Sequence, residues 1–381
     1  MTIIHFIKRV ISSGTKMNNS IWFSLKIRNI LRNVKKYTKM WEPTRAEKKL
    51  HKALWIGFNN RISYSWLKVY GTVSGNKTIN YIPEYIYYSE IEPRLNYKPY
   101  SKALTDKSQY HKFLNTKILP GILIRNICGV YYDSSYNHLP KTQIPVLLNT
   151  YLNKKLVIKP TSDTGGGQGV RIFEITKDKV CITPFLTKVT DIESLLTYYK
   201  RDFIIQEYVE QHDFFACLNK SSLNTVRICT YRSVIDEQIH VLHRILRVGR
   251  TGSVVDNQSA GGFAMSIQDN NNPFPFCVDK MGNRYYSING QEIIRIGEIP
   301  YLKSISVLAK EVAANYLYSR FLGLDFCVDN CGNILLVEVN DSNNEINFYQ
   351  MTDGPLFGNF TNEIIDYCLN EPKSFVIDFN L

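Results

Sequence analysis

The stretch GLDFCVDNCGNILLVEVN, residues 323–340, constrains the fold more than any other part of the chain. Two apolar runs flank the turn residues Asn330–Asn333, a pattern that reads as an antiparallel hairpin. Centring the turn on Cys331–Gly332 places Asp325 opposite Glu338. Asn340, two residues beyond Glu338, projects from the same face. Two carboxylates and an amide oxygen then crowd one side of a largely apolar hairpin. Like charges so placed repel unless a cation or a proton compensates them. An all-oxygen donor set of this kind suits Mg2+, which often bridges protein carboxylates and nucleotide phosphates. The alternative is a hairpin whose acids reach solvent at its ends.

A second signal lies upstream, in KPTSDTGGGQGVRIF (159–173). It joins strand candidates at 155–160 and 170–175, so it is a hairpin loop that opens no helix. That excludes the usual P-loop, which needs strand, loop and helix, with GK[ST] where this chain has GQG. Bare glycine backbone still lets amide N–H groups approach phosphate oxygens closely. Lys159 stands at the base of the loop, within reach of a phosphate. The alternative is a mobile loop beside an ordinary surface lysine. Further strand candidates are 202–209, 226–234, 239–248, 324–328 and 334–339, and a long helix is expected over 305–321. This alternation indicates an α+β or α/β enzyme.

Charge is unevenly placed. Residues 1–50 carry twelve Lys or Arg against Glu42 and Glu47, which is +10 of the chain's +12. Phe23, Ile27, Ile30, Val34, Tyr37 and Trp41 recur at helical spacing and make one apolar stripe. Pro43 is expected to stop that helix. Thr44 with Glu47 reads as a capping box, opening a second helix through Leu50, Leu54 and Phe58. The stripe either packs on the body, leaving a solvated basic face, or meets an anionic membrane surface. No nucleic-acid-binding signature is present. Eight scattered cysteines without a CxxC pair read as reduced thiols of a cytoplasmic protein. No apolar run approaches the roughly 18 residues needed to span a bilayer.

The order of pieces resembles the ATP-grasp superfamily, and more closely its branch associated with sugar transfer and capsular polysaccharide synthesis. The carriers are Asp106–Lys107 before a helix, VIKP with its glycine loop, and IIQEYVEQH. SSLNTVRI (221–228), SAGGFAMSI (259–267) and the closing LDFCVD…LLVEVN complete the set, over roughly 105–370. The resemblance implies an ATP-grasp fold, two α+β subdomains clamping ATP. They would span 105–209 and 210–381, behind a basic helical region at 1–104. It implies that Lys107 and Lys159 contact phosphates, that Gly165, Gly166 and Gly167 form a lid, and that backbone at Glu207 and Val209 pairs with adenine. Glu210, His212 and Asp213 are candidates for the ribose. Asp325, Glu338 and Asn340 would hold Mg2+, and Arg227 would face the reacting group. Several ligases of this superfamily carry an arginine two residues before the first metal acid. Here that position is Gly323, and Arg227, Arg244 or Arg247 stands as its substitute.

The activity so implied is ATP-dependent ligation, in which a carboxylate takes the γ-phosphoryl group and an amine then displaces phosphate. A sugar acid or amino acid is the expected substrate. The rival readings are a phosphotransferase of the same fold, which would phosphorylate a hydroxyl, and a non-catalytic ATP-binding module.

Overall fold

A computed structural model describes residues 22–162, 167–177 and 179–374. Its frame is two antiparallel sheets. The first contains β1 (Ile122–Ile127), β2 (Val130–Tyr132), β3 (Lys155–Pro160), β4 (Arg171–Thr176), β5 (Lys179–Thr183) and β6 (Phe203–Glu207), in the order β2-β1-β6-β3-β4-β5. The second draws on β7 (Thr225–Arg232), β8 (Ile239–Val248), β9 (Phe263–Ser266), β10 (Cys277–Val278) and β11 (Arg284–Tyr285). After a small ribbon of β12 (Ser287–Ile288) and β13 (Gln291–Glu292) come β14 (Phe321–Val328) and β15 (Ile334–Asn340). The seven-stranded order is β11-β10-β9-β8-β7-β14-β15.

The glycine-rich stretch joins β3 to β4, and these two strands pair antiparallel, as a hairpin requires. Asp325 stands opposite Glu338 in the β14–β15 ladder. A bulge brings this about. Near the turn Cys327 pairs with Leu335 and Phe326 with Leu336, after which the register steps so that Asp325 meets Glu338. Val337 is the extra residue. Without it Asp325 would oppose Val337, and Glu338 would fall on the opposite face with Leu324.

The central strands of the larger sheet are covered on both faces, so β7 and β14 are buried almost throughout. One face packs under the helix Leu302–Ala314 through Ile228, Leu246, Leu324 and Phe326. That helix ends well before residue 321, because Phe321 is taken up as a strand residue paired with Tyr231. Tertiary pairing here overrides helical propensity. The other face, at Cys229, Tyr231 and Ile245, packs against N-terminal helices and the segment Ile346–Cys368. Residues 27–95 therefore share one core with the C-terminal half, and the boundary drawn at residue 104 runs beside that common core.

The first described helix spans residues 22–37 and buries Phe23, Ile27, Ile30 and Val34. Tyr37 is 75% exposed and leaves the stripe, whereas Trp41, beyond the helix end, is half-buried against the same core. Thr44 and Glu47 form the expected reciprocal cap, with Thr44 N donating to Glu47 Oε2 (2.6 Å) and Glu47 N to Thr44 Oγ1 (3.2 Å). The helix they open, Arg45–Trp55, buries His51 and Trp55; of the expected residues, Leu54 and Phe58 pack half-buried against the core, Phe58 beyond the helix end, and Leu50 is exposed. All eight cysteines are free thiols. No helix among the described residues is long and apolar enough to cross a membrane.

Candidate active site

The strand β6 leaves the smaller sheet at Glu207 and crosses to the larger one through Tyr208–Gln211. Gln211 bridges to Asp329, Asn330 N donates to Glu210 O (2.8 Å), and His212 N donates to Val328 O (2.9 Å). The crossover is thus stitched to the turn of the β14–β15 hairpin, and a cleft opens between the sheets. Glu207, Tyr208, Val209, Glu210, Asp329 and Asn330 are among its lining residues, and its volume is about 680 Å3. That is within the usual size of a small-molecule or cofactor pocket. Of the three ribose candidates only Glu210 lines it. His212 instead caps the helix Asp213–Leu218, its ring nitrogen accepting from Phe214 N (3.2 Å), and Asp213 begins that helix.

Leu119 and Pro120 line this cleft and also a smaller cavity that reaches Lys107, Lys159 and Gln206. Lys107 comes there because Asp106–Lys107 docks on the end of β3. Lys107 N donates to Thr161 O (3.0 Å), and Thr161 Oγ1 donates to Asp106 Oδ2 (3.1 Å). Lys107 Nζ then meets Glu338 Oε1 at 2.6 Å. Lys159 is buried, and no carboxylate pairs with it among the described residues. Burial, together with the neighbouring Lys107 charge, pushes its ammonium down to about 8. Burial works against the charge of Glu338, but Lys107 outweighs it and holds the carboxyl below its ordinary value.

Asp325 lies one strand from Arg227 in the β14–β7 ladder. Arg227 grips it with two bonds, Nε to Oδ1 (2.6 Å) and Nη2 to Oδ2 (2.5 Å). Arg247, from β8, adds Nη1 to Oδ2 (2.9 Å). Both guanidiniums and the carboxylate are almost wholly buried. Burial opposes ionisation of Asp325, yet the two arginines keep it below its usual range, and Asp325 in turn raises Arg227 against its own burial. Arg247 also reaches Asp256 (3.2 Å), a buried acid that accepts from the backbone and hydroxyl of Thr225. Burial drives the Asp256 carboxyl upward despite Arg247.

Arg244 is not part of this cluster. Strand alternation puts it on the opposite face from Arg247, where it bonds Asp269 (3.0 Å) and Ser306 (3.4 Å). Their three-residue spacing on one strand already separates the two in the sequence. Asp256 lies in a loop, and no local sequence pattern marks it. Asn340 donates through its amide nitrogen to Gly323 O (3.2 Å). Gly167 adopts φ +73°, a left-handed backbone that glycine accepts without strain, while Gly165 and Gly166 lie outside the described residues.

Among the described residues no three His, Cys, Asp or Glu side chains form a metal cluster by themselves. The donor set on this face is two carboxylates and the amide of Asn340, an all-oxygen set that fits Mg2+. Lys107 currently neutralises one of those carboxylates and the arginine pair the other. The arrangement is a two-layer cleft with hinge backbone at one end and four buried or half-buried cations interleaved with acids at the other.

A protein of this build has the ATP-grasp fold. The family model for sugar-transfer associated ATP-grasp proteins matches residues 87–364, and the chain belongs to that family. No curated protein matches it significantly. Solved structures similar to it include N5-carboxyaminoimidazole ribonucleotide synthetase from Thermotoga maritima (12% identity, TM-score 0.37, covering 73% of this chain and 53% of that one). Others are the Staphylococcus aureus N5-carboxyaminoimidazole synthetase complexed with ADP (10%, TM-score 0.39, 72% and 53%) and the ATP-grasp ligase PsnB complexed with a precursor variant, Mg and ADP (12%, TM-score 0.38, 72% and 61%). The chain spans less than two thirds of the length of each.

Proposed function

We propose that the protein is an ATP-dependent carboxylate–amine ligase working through an acyl phosphate, on a sugar acid or amino acid of surface polysaccharide biosynthesis. The observation that carries this reading is the continuity of the site. The crossover-lined cleft shares Leu119 and Pro120 with a smaller cavity that holds Lys107 and Lys159, and Lys107 pairs with Glu338, which stands opposite Asp325. In this reading backbone at Glu207 and Val209 receives the adenine, and Glu210, at the cleft wall, receives the ribose. Lys107 and Lys159 take the phosphates, with Gly165, Gly166 and Gly167 above them. Asp325, Glu338 and Asn340 would hold Mg2+, which when bound neutralises phosphate charge.

Lys107 leaves Glu338 for a phosphate, which frees the carboxylate as a ligand. The buried Lys159, with no acid of its own, is already poised for an anion. Arg227 and Arg247, held rigid by Asp325 and Asp256, present a preorganised positive field to the charge that develops as the phosphoryl group transfers. The γ-phosphoryl group passes to a carboxylate oxygen and ADP departs. An amine nitrogen then attacks the acyl carbon, phosphate leaves, and the nitrogen loses a proton.

Incubating the protein with Mg-ATP and a panel of uronic acids, amino acids and amines tests this. Equal amounts of ADP, free phosphate and an amide are expected. A phosphoester with no free phosphate would make it a phosphotransferase. Failure to bind Mg-ATP by calorimetry would remove the nucleotide reading altogether.

A further inference from the structure

The helix over residues 22–37 has two opposed faces. Phe23, Ile27, Ile30 and Val34 are buried against the body. At about 100° per residue, Arg28, Arg32, Lys35 and Lys36 fall on the outer half of the helix, roughly 110–170° from the centre of that stripe. All four are exposed, and no ion pair engages them among the described residues. The basic residues that the body does use are elsewhere. Lys26, on the inner flank, pairs with buried Glu84 at 2.6 Å, and Lys68 pairs with Glu42 at 2.6 Å. Leu25 sits in the middle of the basic face at 54% exposure, and Trp22 flanks it at 55%. Lys39, just past the helix end, is also exposed.

We infer that this outer face docks on an anionic lipid surface. The stripe that a sequence reading would insert into the membrane is already committed to the core, so contact must come from the reverse side. Unpaired cations there attract a negative surface. An exposed leucine and an indole set among them gain only if that surface also offers an apolar layer, and a bilayer interface does. A nucleic acid would satisfy the charges and leave Leu25 in water. Beyond residue 50 the chain carries 34 basic and 32 acidic residues, so the excess positive charge is concentrated in the N-terminal segment. This inference concerns where the enzyme works and stands independently of its reaction.

The test is co-sedimentation of the full chain with phosphatidylserine-containing vesicles, with phosphatidylcholine vesicles as control. Binding is expected only to the anionic vesicles and should fall between about 0.05 M and about 0.5 M salt. The variant carrying Arg28→Glu, Arg32→Glu, Lys35→Glu and Lys36→Glu should lose about fivefold in affinity for each cation removed. Its melting temperature should be unchanged, since all four are exposed and none is in an ion pair among the described residues. Trp22→Ala with Leu25→Ala should weaken the binding that persists at high salt. The inference is overturned if the anionic vesicles leave the protein in the supernatant at low salt. It is equally overturned if the charge-reversed variant pellets undiminished, or if RNA or heparin is bound while vesicles are not.

Discussion

Replacing Asp325 by Asn tests the site's electrostatics most directly. The carboxylate receives three guanidinium bonds and is 2% exposed, while Arg227 and Arg247 are each 5% exposed. The Asn amide is the same size, but it keeps one acceptor oxygen and turns an N–H group towards Arg227. Arg247 then keeps Asp256 at 3.2 Å, while Arg227 has no other ion-pair partner among the described residues. Removing one partner of a buried ion pair costs about 3–5 kcal/mol, because the remaining charge keeps its desolvation penalty. For a chain of this length unfolding as one unit, that is roughly 4–6 °C in Tm. Urea unfolding followed by tryptophan fluorescence gives the number directly. The naive expectation from two opposed acids is the reverse, that removing one relieves repulsion. A loss below about 1 kcal/mol would show that the arginines are solvated or otherwise partnered, and that the network does not hold the site together.

Glu338→Gln should behave differently: its side chain is 33% exposed and its partner is a single lysine, so the ligand-free protein should lose about 1 kcal/mol or less. Thermal shift should then show that this variant lacks the Mg-ATP-dependent stabilisation, which at a hundredfold excess over Kd is about 2.7 kcal/mol in the wild type. A full magnesium-dependent shift in the variant would refute the metal assignment. Burial raises the Glu84 carboxyl to about 7 despite Lys26, against 4.5 when unfolded. The folded form therefore gains stability from this group below pH 4.5 and loses it as pH rises through 7, by an amount on the order of 3 kcal/mol. A stability–pH profile that is no flatter in Glu84→Gln would refute this. Ile30→Ala, at a site 1% exposed, should cost about 2–4 kcal/mol, while Leu25→Ala on the outer face should stay within about 0.5 kcal/mol by the same urea titration.

The sequence alone was sufficient for whatever depends on neighbours along the chain. The β14–β15 hairpin that carries Asp325 and Glu338 follows from one tight turn and a period of two, though their direct pairing needs the bulge, and the Thr44–Glu47 cap follows from a spacing of three. The burial of Phe23 through Val34 follows from a period of 3.6. Each involves residues within one element or one hairpin, where backbone geometry leaves few choices. Even so, the Val337 bulge that turns Glu338 onto the right face carries no signature in composition. What compensates the acids was decided only in three dimensions. Arg227 and Arg247 reach Asp325 because β7 lies between β8 and β14, and Lys107 reaches Glu338 across more than two hundred residues of chain. The end of the 302–314 helix, the exclusion of His212 and Asp213 from the cleft, and the reversal of which helix face is free were settled the same way. Such contacts are chosen by the packing of whole layers, where the cost of burying a charge selects its partner from anywhere in the chain.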